Sequence, residues 1–320
     1  MPDTLAPAAV PPLAGKFSDP ERTAAGEQRA SVTLHELKTL WFNTGTLCNL
    51  ECANCYIESS PKNDRLVYLA LADVVPFLDE IRRDGWPVTE IGFTGGEPFM
   101  APEFIAILEE VLGRGFKALV LTNAMRPMMK VAGPLLDLRQ RYGDALTVRV
   151  SLDHYTQALH ERVRGLRSWE PAIKGLAWLT ANGFKIDLAG RTLWHETEEQ
   201  VRAGFAELIA NQGWPVDATN PANLVLFPEM DMAVDVPEIT TACWDILGKR
   251  PQDVMCASSR MVVKRKGAPR AAVTACTLLP YDPAFELGGT LAEADQAVPL
   301  NHPHCATFCV LGGASCSVAD

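Results

Sequence analysis

Residues 39–55 read TLWFNTGTLCNLECANC. The opening part, Thr39 to Thr46, is a short apolar run of good strand formers, and it predicts a buried strand. Three thiols follow on one loop, Cys48, Cys52 and Cys55, at a spacing that lets them converge on a single metal centre. Their number is informative. Four thiolates would complete a structural zinc site or saturate an iron–sulfur cube, whereas three leave one iron of a four-iron cluster open to another ligand. A zinc knuckle, or three small buried apolar residues, is the alternative at this point.

Outward from this stretch the chain alternates short apolar runs with amphipathic segments. Helical spacing of Val74, Val75, Leu78 and Ile81 predicts a helix over 69–84, and Glu90 to Thr94 predicts the second strand. Pro102 opens a helical face formed by Phe104, Ile107, Leu108 and Val111, which stops at Gly113 and Gly115. Strands are expected at Lys117 to Thr122, Ala145 to Leu152, Ile186 to Leu193 and Asn223 to Phe227, with helices over 130–142, through 159–179 and over 198–211. Such alternation means right-handed crossovers and a parallel α/β sheet, either doubly wound or curled into a partial barrel. In both layouts the site lies at the carboxyl ends of the strands. The loop bearing Cys48 follows the first strand, Gly95-Gly96-Glu97-Pro98 the second and Asn123 the third, while Ser151, Asp153 and His154 end the fourth. These residues are expected on one rim.

The composition is that of a globular protein, 48% hydrophobic and 21% charged, with a net charge of −10 that disfavours a nucleic-acid backbone as partner. No apolar run reaches the ~20 residues of a membrane span. Residues 1–35, rich in Pro and Ala as far as Ala30, predict a disordered arm and not a signal peptide. The nine cysteines are an odd number without a secretory signal, so metal or redox thiols in a cytoplasmic protein are expected instead of disulfides. After Pro228 the pattern changes to a hairpin over 260–277 around Lys266-Gly267-Ala268-Pro269, then a Gly/Pro-rich tail, and a boundary is expected near residue 235.

Cys48-x3-Cys52-x2-Cys55 after one strand and Gly95-Gly96-Glu97-Pro98 after the next resemble the radical S-adenosylmethionine (SAM) superfamily, over roughly residues 39–228. The resemblance implies a partial (β/α)6 TIM-like barrel over 36–235. It implies that the three cysteines hold a [4Fe-4S] cluster whose open iron chelates SAM. One electron then yields a 5′-deoxyadenosyl radical that abstracts hydrogen from a substrate. It further implies that Gly95, Gly96 and Glu97 meet the methionine amino group and that Ser151 binds the ribose. Arg191 stands in an otherwise apolar strand, where a buried guanidinium needs an anionic partner; the methionine carboxylate is the preferred one, and Asn123 is placed to touch the same ligand. Where the family often has an aromatic residue before the third cysteine, this chain has Asn54, with Tyr56 just after.

Cys256, Cys276, Cys305, Cys309 and Cys316 resemble, in their order, the twitch domain, a shortened SPASM extension, here over 236–320. That implies a second, auxiliary [4Fe-4S] cluster, with a structural zinc as the alternative. An auxiliary cluster suits oxidation of a substrate radical, and Asp153 and Glu196 are the first candidates for the accompanying base. The expected substrate is a small molecule, or a separately encoded peptide modified by a maturase, with a flavodoxin or ferredoxin as electron donor. About forty residues before the first strand are too few for a fused peptide-recognition domain. A non-catalytic iron–sulfur or zinc module is the reading from another class.

Overall fold

The computed structural model describes residues 15–312. Its strands are β1 (Ser31–Val32), β2 (Thr39–Asn43), β3 (Glu90–Thr94), β4 (Lys117–Thr122), β5 (Leu146–Ser151), β6 (Lys185–Arg191), β7 (Leu224–Phe227), β8 (Ser259–Val263), β9 (Ala272–Thr274), β10 (Glu286–Gly288) and β11 (Val298–Pro299). The helices are α1 (Leu71–Asp84), α2 (Phe104–Gly113), α3 (Arg126–Lys130), α4 (Ala132–Tyr142), α5 (Gln157–Arg164), α6 (Trp169–Ala181), α7 (Glu198–Gln212) and α8 (Cys243–Leu247).

One nine-stranded sheet runs β10-β9-β8-β2-β3-β4-β5-β6-β7, and every pair from β8 across to β7 is parallel. Strands β2 to β7 follow one another in chain order without the reversal that defines a doubly wound sheet. Right-handed crossovers added always on the same side leave the helices on one face, and the strand twist curls the sheet into a partial barrel.

Strand periodicity then assigns the faces. Leu40, Phe42, Ile91, Phe93, Val148, Val150, Ile186 and Leu188 pack in the core shared with the helices. Their neighbours of opposite parity face inward, where Trp41, Leu119, Met261 and Val263 share a second core with the tail. The inner face is tight: a Cβ on Gly92 would lie 2.4 Å from the Trp41 indole. The same parity turns Thr94, Ser151 and Arg191 inward at the carboxyl ends of β3, β5 and β6.

At three places the structure differs from the expectation, once through a local break and twice through long-range pairing. The single helical region over 159–179 is two helices, because Gly165 and Arg167 take positive φ values of 94° and 67°. The described part of the 1–35 arm is ordered: Arg29 is buried against Glu238, and β1 pairs with β11. The boundary near 235 does not divide the sheet, since β8 pairs with β2 on the side away from β3 and carries the β8–β9 hairpin with it. Cys316 lies outside the described residues.

Candidate active site at the carboxyl ends of the strands

Cys48, Cys52 and Cys55 line one cleft with Gly95, Gly96, Asn123, Ser151, Asp153, Arg164 and Arg191, enclosing about 1000 Å³ of empty space with its open mouth counted. The loop N–H groups of Leu50 and Ser59 donate to the sulfurs of Cys48 and Cys55 at 3.4 and 3.2 Å. Burial pushes the Cys48 thiol up to about 12, so metal binding there must displace a proton.

Gly95 and Gly96 bring backbone, and no side chain, to the cleft. Gly95 has φ +134°, and a Cβ on Gly96 would sit 2.0 Å from the Leu47 carbonyl oxygen of the cysteine loop. Because that neighbour is backbone, the loop itself has to move for Ala to fit. Gly96→Ala is therefore expected to destabilise the chain by about 1–3 kcal/mol, as overpacking does, and to lower iron retention, both read by urea unfolding and iron analysis; an unchanged midpoint and iron content would show that the two loops are not in register.

Glu97 departs from its expected role. Its carboxylate accepts from the Thr122 hydroxyl at 2.7 Å, the Asn123 N–H at 2.9 Å and the Phe99 N–H at 3.2 Å, and it does not line the cleft. It is a brace between the glycine loop and the end of β4, with burial pushing its pKa up to about 7. Asn123 does line the cleft, and its amide donates to the Asn49 side chain at 2.9 Å.

Arg191 reaches across the cleft to the cysteine loop. Its Nη2 donates to the Asn54 carbonyl at 2.7 Å, its guanidinium lies 4.5 Å from the centre of the Tyr56 ring, and its Nε is 3.4 Å from Asp153. Nη1 is buried without a hydrogen-bond partner. A buried orphan donor on a guanidinium calls for an anion. Three thiols, side-chain-free backbone at Gly95 and Gly96, and this donor together fit a three-cysteine [4Fe-4S] cluster and an amino-acid carboxylate.

Asp153 and Glu196, the candidate bases, are both engaged by partners. Asp153 receives a fork from Arg164 at 2.9 and 3.1 Å; burial opposes its ionisation, but the charges of Arg164 and Arg191 outweigh this and hold its pKa below the ordinary value. Glu196 lies off the cleft, bonded to His154 Nε2 at 2.8 Å and the Tyr155 hydroxyl at 2.5 Å, and those bonds outweigh burial to lower its pKa as well. Among the described residues lining the cleft, Asp153 is the single carboxylate. Arg164 was not singled out in the sequence, because an arginine in the last turn of a helix is commonplace.

A second cavity lies in the tail. Cys256 before β8, Cys276 after β9, and Cys305 and Cys309 on one helical turn line it together with His304, and Leu278 lines both this cavity and the cleft. Burial pushes Cys256 up to about 12 and also raises Cys305 well above the ordinary thiol value. Between the two sites the rings of Tyr56, Phe227 and Phe308 are in mutual contact, with centroids 5.4 to 6.1 Å apart. The Tyr281 hydroxyl, from the same tail loop, donates to the Ile57 carbonyl at 2.7 Å.

A family model described as the radical SAM superfamily matches residues 42–204, just over half of the chain. The antilisterial bacteriocin subtilosin biosynthesis protein AlbA of Bacillus subtilis is 29% identical over 187 residues, which cover 56% of this chain and 39% of AlbA. The mycofactocin maturase MftC of Mycobacterium ulcerans is 31% identical over 137 residues, covering 43% of this chain and 35% of MftC. The chain thus spans well under half of either relative. In fold it is similar to Streptococcus suis SuiB bound to S-adenosylmethionine, with a TM-score of 0.58 and 13% identity over 79% of this chain and 63% of SuiB.

Proposed function

The chain belongs to the radical SAM superfamily, and from that premise we propose that it cleaves S-adenosylmethionine reductively and uses the product to modify a peptide. The observation that carries the cleavage is the convergence of three thiols, two glycine backbones and the unpartnered Arg191 Nη1 on one cleft. When bound at Cys48, Cys52 and Cys55, a [4Fe-4S] cluster supplies the electron that splits the sulfonium and so generates a hydrogen-abstracting carbon radical. Arg191 holds the methionine carboxylate, the Gly95–Gly96 backbone accepts from its amino group, and Ser151 meets the ribose. Leu121, Phe227 and Leu278 line the same cleft and limit water around the reacting atoms.

A peptide is favoured as substrate by the continuation of the cleft. Cys55 and Tyr56 line both the cleft and a neighbouring groove, which Asn54, Glu58, Met230, Met232 and His304 also line, and a substrate longer than a small molecule could use both. The relatives point the same way, since AlbA takes part in bacteriocin biosynthesis, MftC is a maturase, and SuiB is known bound to a precursor peptide. The tail cavity is the proposed seat of an auxiliary [4Fe-4S] cluster, held by Cys256, Cys276, Cys305 and Cys309.

With SAM, a deuterated candidate peptide and dithionite, label is expected in the 5′-deoxyadenosine formed; unlabelled 5′-deoxyadenosine, its hydrogen drawn from solvent or buffer, would remove the peptide from the proposal. Cys256→Ala or Cys276→Ala is expected to cost about 2–5 kcal/mol of stability, the scale of a lost covalent staple, together with the tail iron. A variant with normal iron and a normal melt would show that these thiols bind no metal, and zinc in place of iron and sulfide would make the cavity a structural site.

A further inference from the structure

Arg164 ends α5, where free carbonyls give a helix partial negative charge. The Val163 carbonyl in that last turn accepts the N–H of Ala53 at 2.9 Å, so the helix end is fastened to the loop between Cys52 and Cys55. The Arg164 side chain is 13% exposed, forks onto Asp153 and lines the cleft beside Cys48 and Cys52. With Arg191 on the far side of Asp153, two guanidinium groups flank one carboxylate, a net single positive charge facing the cysteine loop. Charges this sheltered are weakly screened by salt.

Adding an electron to a thiolate-ligated cluster adds negative charge, and net charge and hydrogen bonding are what set iron–sulfur potentials. We propose that Arg164 is a positioning residue that raises the reduction potential of the cluster held by Cys48, Cys52 and Cys55, by fixing a positive charge against those thiolates, with Asp153 as the counterweight that limits the rise. This rests on the reading that these cysteines hold a [4Fe-4S] cluster. The step is the gain of one electron by the 2+ core to give the 1+ core. No bond or proton changes, and a one-electron reductant, dithionite in the test, is oxidised.

The test is a redox titration of the anaerobically reconstituted full chain, following by electron paramagnetic resonance the signal that changes when SAM is added. Arg164→Gln is expected to make reduction about tenfold less favourable, 59 mV lower for a one-electron couple. Asp153→Asn shifts it by a similar factor in the opposite direction. Arg164→Lys stays near the wild type because the charge is kept. The double variant, Arg164→Gln with Asp153→Asn, also returns near it, and removes the pair without stranding a buried charge. A purely structural role gives no such opposition of sign. Equal potentials for the Gln and Lys variants, or shifts of Asp153→Asn and Arg164→Gln in one direction, would overturn the role of Arg164. Absence from the wild type of any SAM-responsive signal would instead overturn the cluster reading beneath it. If Arg164→Gln binds no cluster, the sign of the Asp153→Asn shift decides, an upward shift supporting the proposal and any other result overturning it.

Discussion

Alanine at Cys48, Cys52 and Cys55 together is expected to abolish 5′-deoxyadenosine formation and to lower bound iron from about eight to about four per chain, four being the content of one cubane cluster. The loss is total because these three thiols share one loop and no other cysteine lines their cleft among the described residues. The remaining iron is the share expected of the tail under the proposal, where Cys256, Cys276, Cys305 and Cys309 line a separate cavity. Iron analysis and chromatography of the reaction with dithionite check both halves. Surviving cleavage would place the catalytic cluster elsewhere; loss of all the iron would mean that the tail cannot load without the loop, with which it shares Leu278 and the Tyr281–Ile57 hydrogen bond.

Arg191→Ala is expected to weaken SAM binding by about 2–5 kcal/mol, the usual cost of truncating one partner of a buried charge pair, which is roughly 30-fold or more. Four contacts go at once: the proposed carboxylate partner at Nη1, the bond from Nη2 to the Asn54 carbonyl, the ion pair of Nε with Asp153 and the cation–π contact with Tyr56. Lysine keeps the charge but not the planar fork, so Arg191→Lys should recover only part of the affinity. Equilibrium dialysis with labelled SAM on iron-matched samples measures this. Unchanged affinity in Arg191→Ala would make the residue a clamp on the cysteine loop alone, and the carboxylate partner would then have to be sought at Arg164.

The strands of the core were largely legible because each is a local pattern. Cys48, Gly95, Asn123 and Asp153 could be placed on one rim from strand order alone, since parallel strands present their carboxyl ends together. Partnerships were not legible. Nothing near Asp153 in the sequence announces that Arg164, a helix away, will occupy its carboxylate, or that His154 and Tyr155 will take up Glu196. Both looked like free acids because their neighbours in sequence are not their neighbours in space. The partners of Glu97 were hidden for the same reason: the motif puts it after β3, but Thr122 and Asn123, two of its three donors, come from the end of β4 and the residue after it.

What the sequence determined by itself was the kind of chemistry and the end of the sheet that bears it. Thiol spacing on one short loop and period-two strands are set by covalent geometry over a few residues, and survive any packing. Tertiary structure alone decided that the tail joins the core sheet through β8, that Cys256, Cys276, Cys305 and Cys309 meet in one cavity, and that Asp153 and Glu196 are taken up by partners. Each of these depends on which distant segments pair and in what register, and that is settled by the burial of whole faces, a collective quantity that local periodicity does not contain.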